Sequence, residues 1–250
     1  LFLKSKNKIF NVSKNYQNKL LRIFYNNVYM DNDDFKNISI EDILSKNSAS
    51  LNFELKKQDF HYLKDNQFKK EFLHSSFVDL DKLNFILVHY DEKWEIENYS
   101  KAFKKASTLT DINVKKDILV KFMLELSKKI SKRIVLSTGT IETKIINELK
   151  ALSKKINESL YEVNLDGNKV YMFTKENFFS ISHLISKSSL LITCHGAFVH
   201  IASNYNIKII DIIEKSKYIH YNKITKHIQN YKYLYRDNCE ALFKEIINNS

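Results

Sequence analysis

Residues 188–213 constrain the fold more than any other stretch of the chain. Leu190, Leu191 and Ile192 form an apolar run without helical period, as a buried strand does, and residues 207–213 are a second run, rich in β-branched Ile. Between them His195-Gly196 supplies a turn, and Phe198, Val199, Ile201 and Ala202 cover one side of a short helix. Strand, glycine turn, helix and strand make a βαβ unit with parallel strands and a right-handed crossover. The chain has three glycines, so one at a strand-to-helix turn points to close approach of a ligand to the backbone. The free amides of the helix that follows favour an anion. His195 and His200 bracket this turn, and the expectation is a nucleotide-phosphate site.

The 250 residues allow one large domain or a domain and a half. With 44% hydrophobic and 13% aromatic residues the chain can build a substantial core, which excludes wholesale disorder. No apolar run reaches the ~18 residues of a membrane span. The opening Leu-Phe-Leu-Lys-Ser-Lys-Asn-Lys has no apolar h-region and no initiator Met, so a fragment or trimmed chain without a signal peptide is expected. Cys194 and Cys239 make no disulfide framework and point to a reducing compartment. The net charge of +11 invites a nucleic-acid reading, but the lysines are spread along the chain, with no cluster of Arg or Gly among aromatics and no binding motif. Nucleic acid is therefore not an expected partner. The charge suits a phosphorylated or membrane-surface substrate better.

Residues 1–50 carry weak signals: a helical spacing of Leu20, Ile23, Phe24 and Val28, a break at Asp31-Asn-Asp-Asp, and a second helix start within 38–44. Residues 51–55 alternate as a short strand or linker does, and 59–72 read as a surface helix. From Leu83 the pattern becomes regular. Strands are expected at 85–88, 133–136 and 170–173. Helices are expected from a cap at Asn113, with Val114, Ile118, Phe122, Leu126 and Ile130 on the apolar face, then at 141–156, at 176–186 with Phe178, Phe179, Leu184 and Ile185 as its apolar residues, and at 238–247. Residues 215–232 are poorly patterned. Strands alternating with helices imply an α/β fold: a Rossmann-like, doubly wound parallel sheet over 84–250, preceded by a partial N-terminal α/β region, 1–83. Ligands of such sheets bind beyond the carboxyl ends of the strands. The loops there are 89–94, 137–140, 174–177 and 195–197.

Those loops offer a few fixed donors. Lys93 can hold a phosphate as a point charge or be a solvated surface lysine; Thr138-Gly139 can present backbone donors or simply end a strand. His200 can donate to a diphosphate or be a buried helix histidine bonded to a carbonyl. Trp94 reads as packing, and Glu142 as a ligand or as an acidic first-turn residue favoured by the helix dipole. His183, His220 and His227 have no metal-ligand spacing, and no carboxylate pair suited to a metal ends a strand. No GxGxxG, P-loop or GxSxG is present.

The segment Ile181-Ser-His-Leu-Ile-Ser-Lys-Ser-Ser-Leu-Leu-Ile-Thr-Cys-His-Gly-Ala-Phe-Val-His-Ile-Ala-Ser-Asn-Tyr-Asn-Ile-Lys-Ile-Ile-Asp-Ile resembles the C-terminal half of GT-B glycosyltransferases. Within these it is similar to the heptosyltransferase-like family nine, which builds bacterial lipopolysaccharide. The family motif Asp-Thr/Ser-Gly-Pro-Met-His-Leu-Ala-Ala corresponds to His195-Gly196-Ala197-Phe198-Val199-His200-Ile201-Ala202-Ser203. Its final His is kept as His200; its Asp position holds His195 and its Gly position Ala197, with Gly196 one place earlier. Lys93 approximates the family's basic residue at a strand end, and Thr138-Gly139-Thr140-Ile141-Glu142 its Gly-Gly-x-x-Glu loop. The resemblance covers 84–250.

It implies transfer of a sugar from a nucleotide-diphosphate donor to a cell-envelope glycan. The donor would be bound by Lys93, Thr138, Gly139, Glu142, His195, Gly196, Ala197 and His200, without a metal or other cofactor. The acceptor, a glycan or a lipid-linked one, and the general base would come from a facing N-terminal domain, of which only part precedes Asn84; no catalytic residue is assigned. A cytoplasmic place follows, with peripheral contact at the inner membrane face as an option. The competing reading is a non-catalytic nucleotide-sugar-binding or scaffold module that kept the fold.

Overall fold

The computed structural model describes residues 78–103, 108–205 and 207–250. The elements expected at 16–29, 38–44, 51–55 and 59–72 lie outside the described residues. The chain divides into two compact units, Leu1–Tyr62 with Ile219–His227, and Leu63–Tyr218 with Ile228–Ser250. Of the first, the described part is most of helix α6 (Tyr218–Thr225) and the residues up to His227. The second unit carries the sheet.

Its strands are β1 (Phe85–Tyr90), β2 (Arg133–Thr138), β3 (Lys154–Lys155), β4 (Leu160–Leu165), β5 (Asn168–Phe173), β6 (Leu190–Cys194), β7 (Lys208–Ile213) and β8 (Tyr231–Tyr235). Between them run α1 (Ile96–Phe103), α2 (Lys116–Ile130), α3 (Lys144–Ala151), α4 (Phe178–Lys187) and α5 (Ala197–Ala202), and α7 (Cys239–Asn249) closes the chain. The eight strands follow the order β3-β4-β5-β2-β1-β6-β7-β8. From β5 to β8 every pairing is parallel. The six parallel strands, counted along the chain, therefore lie in the order 3-2-1-4-5-6 of a doubly wound sheet. The order reverses between β1 and β6.

All six residues of β1 are buried, as a central strand covered on both faces must be. Alternation sends Ile86, Val88 and Tyr90 into one layer, with Leu119, Phe122 and Leu126 of α2, Ile146 of α3 and Phe243 of α7. Phe85 and Leu87 enter the other, with Ile181, Leu184 and Ile185 of α4 and Val199 of α5. Side-chain caps start α3, α4 and α7: Thr143 accepts from Ile146 N, Asn177 from Ser180 N and Asn238 from Ala241 N.

Four sequence expectations differ from the structure. Asn113 takes a left-handed backbone (φ 52°) and does not cap α2, which begins at Lys116. The helix expected at 141–156 is α3 alone, and the chain then turns into β3 and β4, an antiparallel edge on an otherwise parallel sheet. The β4–β5 hairpin turns at Asp166-Gly167, both with positive φ, a two-residue turn that Asp-Gly favours because it matches strand twist. The poorly patterned 215–232 region leads into β8, whose alternate tyrosines and lysine conceal a strand. In α4 the buried run is 180–185, while Phe178 and Phe179 are each 44% exposed. No helix among the described residues is long and apolar enough to cross a membrane.

Leu87 is fully buried at the centre of the sheet. Leu87→Ala is expected to cost about 2–5 kcal/mol in urea unfolding, the range for an unrelaxed core cavity; a loss under about 1 kcal/mol would contradict this packing.

Candidate functional site

In a sheet of this topology the crevice lies beyond the carboxyl ends of the strands that flank the reversal, here β1 and β6. After β1, Asp91 caps a 3₁₀ turn (Glu92–Trp94) by accepting from Lys93 N at 3.1 Å. The Trp94 indole donates to the His89 carbonyl at 2.9 Å and its ring stacks on Tyr90, so Trp94 packs the core as expected. Glu95 then ties this turn to α3. Its carboxylate accepts from Lys144 N (3.0 Å) and Ile145 N (3.2 Å), and also from the Tyr90 hydroxyl and the Asn98 amide. A carboxylate on first-turn amides satisfies them and suits the helix dipole.

The turn delivers Lys93 to β6. Its Nζ donates to the His195 carbonyl at 2.8 Å and pairs with Asp91 Oδ2 at 3.0 Å. Burial works against the ammonium, but the neighbouring groups, Asp91 foremost and then Cys194 and Glu92, together outweigh it and the lysine pKa is raised, so Lys93 stays charged. Two of its three protons are engaged in these contacts. A Cβ on Gly196 would stand 2.9 Å from Nζ, so a side chain there would oblige the ammonium to shift. Arg236, buried at the end of β8, braces the loop from below. It donates to the Lys93 carbonyl (2.7 Å), the Thr110 carbonyl (2.8 Å) and Cys194 Sγ (3.3 Å), none of them a carboxylate. Burial pushes the Cys194 thiol up to about 12 despite the neighbouring Arg236, which leaves it a protonated packing group.

The β6 turn is also held from β7 and β8. His195 Nδ1 lies 2.6 Å from Asp211 Oδ2, and the Tyr231 hydroxyl donates to the same oxygen at 2.7 Å. Asp211 is completely buried. The His195 and His200 rings meet edge to face, 5.7 Å apart. Ala197 is exposed, and His195, Gly196 and His200 are part-exposed, so the turn is open rather than roofed by side chains.

The structure thus brings Lys93, His195, Gly196, Ala197 and His200 together. Gly139 joins them at one remove: a Cβ on it would stand 3.3 Å from Glu92 Oε2 and 3.6 Å from Asp91 Cβ. Thr138 is buried, its hydroxyl donating to Gly139 O and accepting from Lys175 N, so its side chain fixes two loops to each other. Glu142 pairs with Lys150 and Lys175, which hold its carboxyl below the usual range. Sequence reasoning missed Asp91, Glu95, Asp211, Tyr231 and Arg236. Asp211 alone carried a signal, as a charge inside the otherwise apolar run of β7. Among the described residues no cluster of three His, Cys, Asp or Glu is placed to hold a metal ion. A cavity of about 660 Å3 opens at the amino ends of β1, β2 and β5, but it is lined by residues such as the exposed Lys82 and Arg133, at the opposite end from the converging loops.

His89, at the end of β1, is buried with Nδ1 3.0 Å from Ser137 Oγ and its ring edge-on to Phe198. Burial lowers its pKa to about 4. Below about pH 6.5 the unfolded chain takes up a proton that the folded chain refuses, so stability falls as pH drops from 6.5 toward 4. The loss is on the order of 3 kcal/mol. His89→Gln, unfolded in urea at pH 7.5 and again near pH 4.5, is expected to lose correspondingly less than the wild type between the two; equal losses would contradict a neutral buried histidine.

No family model and no curated protein matches the chain. Solved structures do. The E. coli heptosyltransferase WaaC with ADP-2-deoxy-2-fluoro heptose matches with a TM-score of 0.53 at 12% identity, and the same enzyme with ADP with 0.50 at 12%; each match covers 92% of this chain and 61% of that one. A glycosyl transferase family 9 structure from Veillonella parvula matches with 0.52 at 10% identity, over 91% of this chain and 57% of that one. This chain spans about three fifths of the length of the heptosyltransferase it matches. The expectation raised by residues 181–212 holds at the level of architecture: the chain has the fold of GT-B glycosyltransferases of the heptosyltransferase kind.

Proposed function

We propose that the chain provides the donor-binding part of a glycosyltransferase, which moves a sugar from a nucleotide-diphosphate donor to a cell-envelope glycan of the lipopolysaccharide type. One observation carries this reading. At the strand-order reversal, a charged lysine with one proton still to give stands over an open glycine turn. A diphosphate set against His195-Gly196-Ala197 would take that proton and a second donor from His200. Both donors are strongest where charge grows on the leaving phosphate, and fixed donors there lower the barrier to bond cleavage. Arg236 and Glu95 act behind them by keeping the lysine in place.

The reading takes the nucleotide sugar as substrate and requires no metal or other cofactor. Gly139, Thr138 and Glu142 form the far rim of the crevice, toward the donor's ribose. The acceptor, a glycan or lipid-linked glycan, and the general base belong to the acceptor side, residues 1–83 and whatever precedes them, working at the cytoplasmic face of the membrane. Nucleic acid is not a partner in this reading. A donor-binding module without transfer is the second reading, favoured by His195 standing where the resembling family has an Asp.

Calorimetric titration with nucleoside-diphosphate hexoses tests the proposal. Lys93→Met and His200→Ala are each expected to weaken binding by about tenfold, the scale of one charge-assisted hydrogen bond. Unchanged affinity in both variants would remove the site. Binding without sugar release in the presence of envelope glycans would favour the module.

A further inference from the structure

The cavity at the amino ends of β1, β2 and β5 has a charge pattern of its own. Four cations line it, Lys82, Lys128, Lys132 and Arg133, against one carboxylate, Asp79. That carboxylate is already engaged. Asp79 Oδ2 lies 3.0 Å from Lys82 Nζ, and this contact holds its carboxyl below the usual range. Lys128, Lys132 and Arg133 are in no ion pair among the described residues. The local fold brings these three together. α2 gives way at Ser131, whose left-handed backbone (φ 54°) turns the chain back toward the sheet. Ser127 Oγ donates to the Lys132 carbonyl at 2.6 Å and closes that turn. Arg133 N then donates to the Asn84 carbonyl at 3.2 Å, at the point where β2 starts beside β1. Lys128, in the last turn of α2, suits the helix dipole by itself. Arg133 already belongs to β2, outside the reach of that account.

Like charges gathered without counter-charge repel one another, and an anion placed among them removes that repulsion. The amides of Asn84 and Asn168 and the hydroxyls of Ser131 and Tyr171 line the same cavity and add neutral donors. A second hollow of about 260 Å3 adjoins it and shares Ser127, Arg133 and Asn168, so the guanidinium lines both. We propose that this cavity is a second anion site, separate from the donor crevice, which takes a ligand carrying two or more phosphate groups. Its volume of about 660 Å3 exceeds what one phosphate fills, and three unpaired cations match several phosphate charges better than one. Arg133 offers a planar fork for bidentate contact, while Lys128 and Lys132 act as point charges. The same chemistry serves a free oligophosphate and a phospholipid headgroup, and the experiment tells the two apart.

Tripolyphosphate is titrated calorimetrically into the whole chain at low salt. Co-sedimentation is measured in parallel with vesicles of phosphatidylglycerol and phosphatidylcholine, and with phosphatidylcholine alone. Saturable binding of tripolyphosphate, or of the phosphatidylglycerol vesicles but not the neutral ones, is expected, and it weakens as salt screens the charges. Arg133→Gln combined with Lys132→Gln should weaken that binding by about tenfold or more, the scale of lost charge-assisted hydrogen bonds. Lys121→Gln combined with Lys244→Gln removes the same net charge from the exposed faces of α2 and α7 and should change it by less than about twofold. Lys93→Met should keep the binding that the Arg133 and Lys132 exchange removes, because a probe seated in the donor crevice would depend on Lys93. Tripolyphosphate binding without vesicle binding assigns the site to a free oligophosphate, and the reverse assigns it to a headgroup; both together support the shared chemistry. Equal weakening in the two double variants reduces the effect to net charge and overturns the site. So does binding that vanishes in Lys93→Met, or none to either probe. Donor binding by nucleotide sugars is measured separately and stands or falls on its own variants.

Discussion

An ammonium, braced by a buried guanidinium, ties together the ends of the two strands at which this sheet reverses its order. Lys93 and His195 are 102 residues apart, and the bond between them directly joins the β1 and β6 loops. Sheet pairing ends at Tyr90 and Cys194. Beyond those points nothing in the ladder keeps the loops together, and a charge-assisted bond of about 1.5–3 kcal/mol is large against the flexibility of a few loop residues. Desolvation opposes the arrangement. Asp91 offsets it by pairing with the same nitrogen, and the side chain keeps about a quarter of its exposure.

The contacts around this bond have one direction. Arg236 supports the Lys93 carbonyl from β8, and Glu95 anchors the turn to the start of α3. Glu214, at the end of β7, accepts from the amide and hydroxyl of Thr110, whose carbonyl in turn receives Arg236. Three strand ends and a helix start are thereby bound through side chains. At the turn itself Ala197 is exposed and Gly196 part-exposed. A rigid frame under a bare turn is the condition for electrostatic preorganisation, since the donors do not have to reorganise when an anion arrives.

The α5 turn places its carboxylate on a neighbouring strand. Where the resembling sequences carry a carboxylate, this chain carries His195 and puts the carboxylate one strand over, at Asp211, within 2.6 Å. An acid is thus still present at the turn, but it is spent on an imidazole rather than offered to a ligand.

Much of the architecture was legible locally. The apolar runs of β1, β2, β6 and β7 and the glycine turn at 195–196 follow from side-chain periodicity and backbone preference, which act over a few residues, whereas the caps at Thr143, Asn177 and Asn238 went unread. β8 and the β4–β5 hairpin were obscured because edge strands of Tyr, Lys and Asn lack the uniform apolarity of central ones. The turn at 195–197 and Lys93 as a charged donor at a strand end could be named from sequence alone. Their union could not. It depends on β1 lying beside β6, and on Asp211 and Arg236 arriving from strands further along the chain, pairings decided by how a whole sheet buries both its faces. Local order came from the residues themselves, whereas the charge balance of the crevice was settled only when distant strands closed around it.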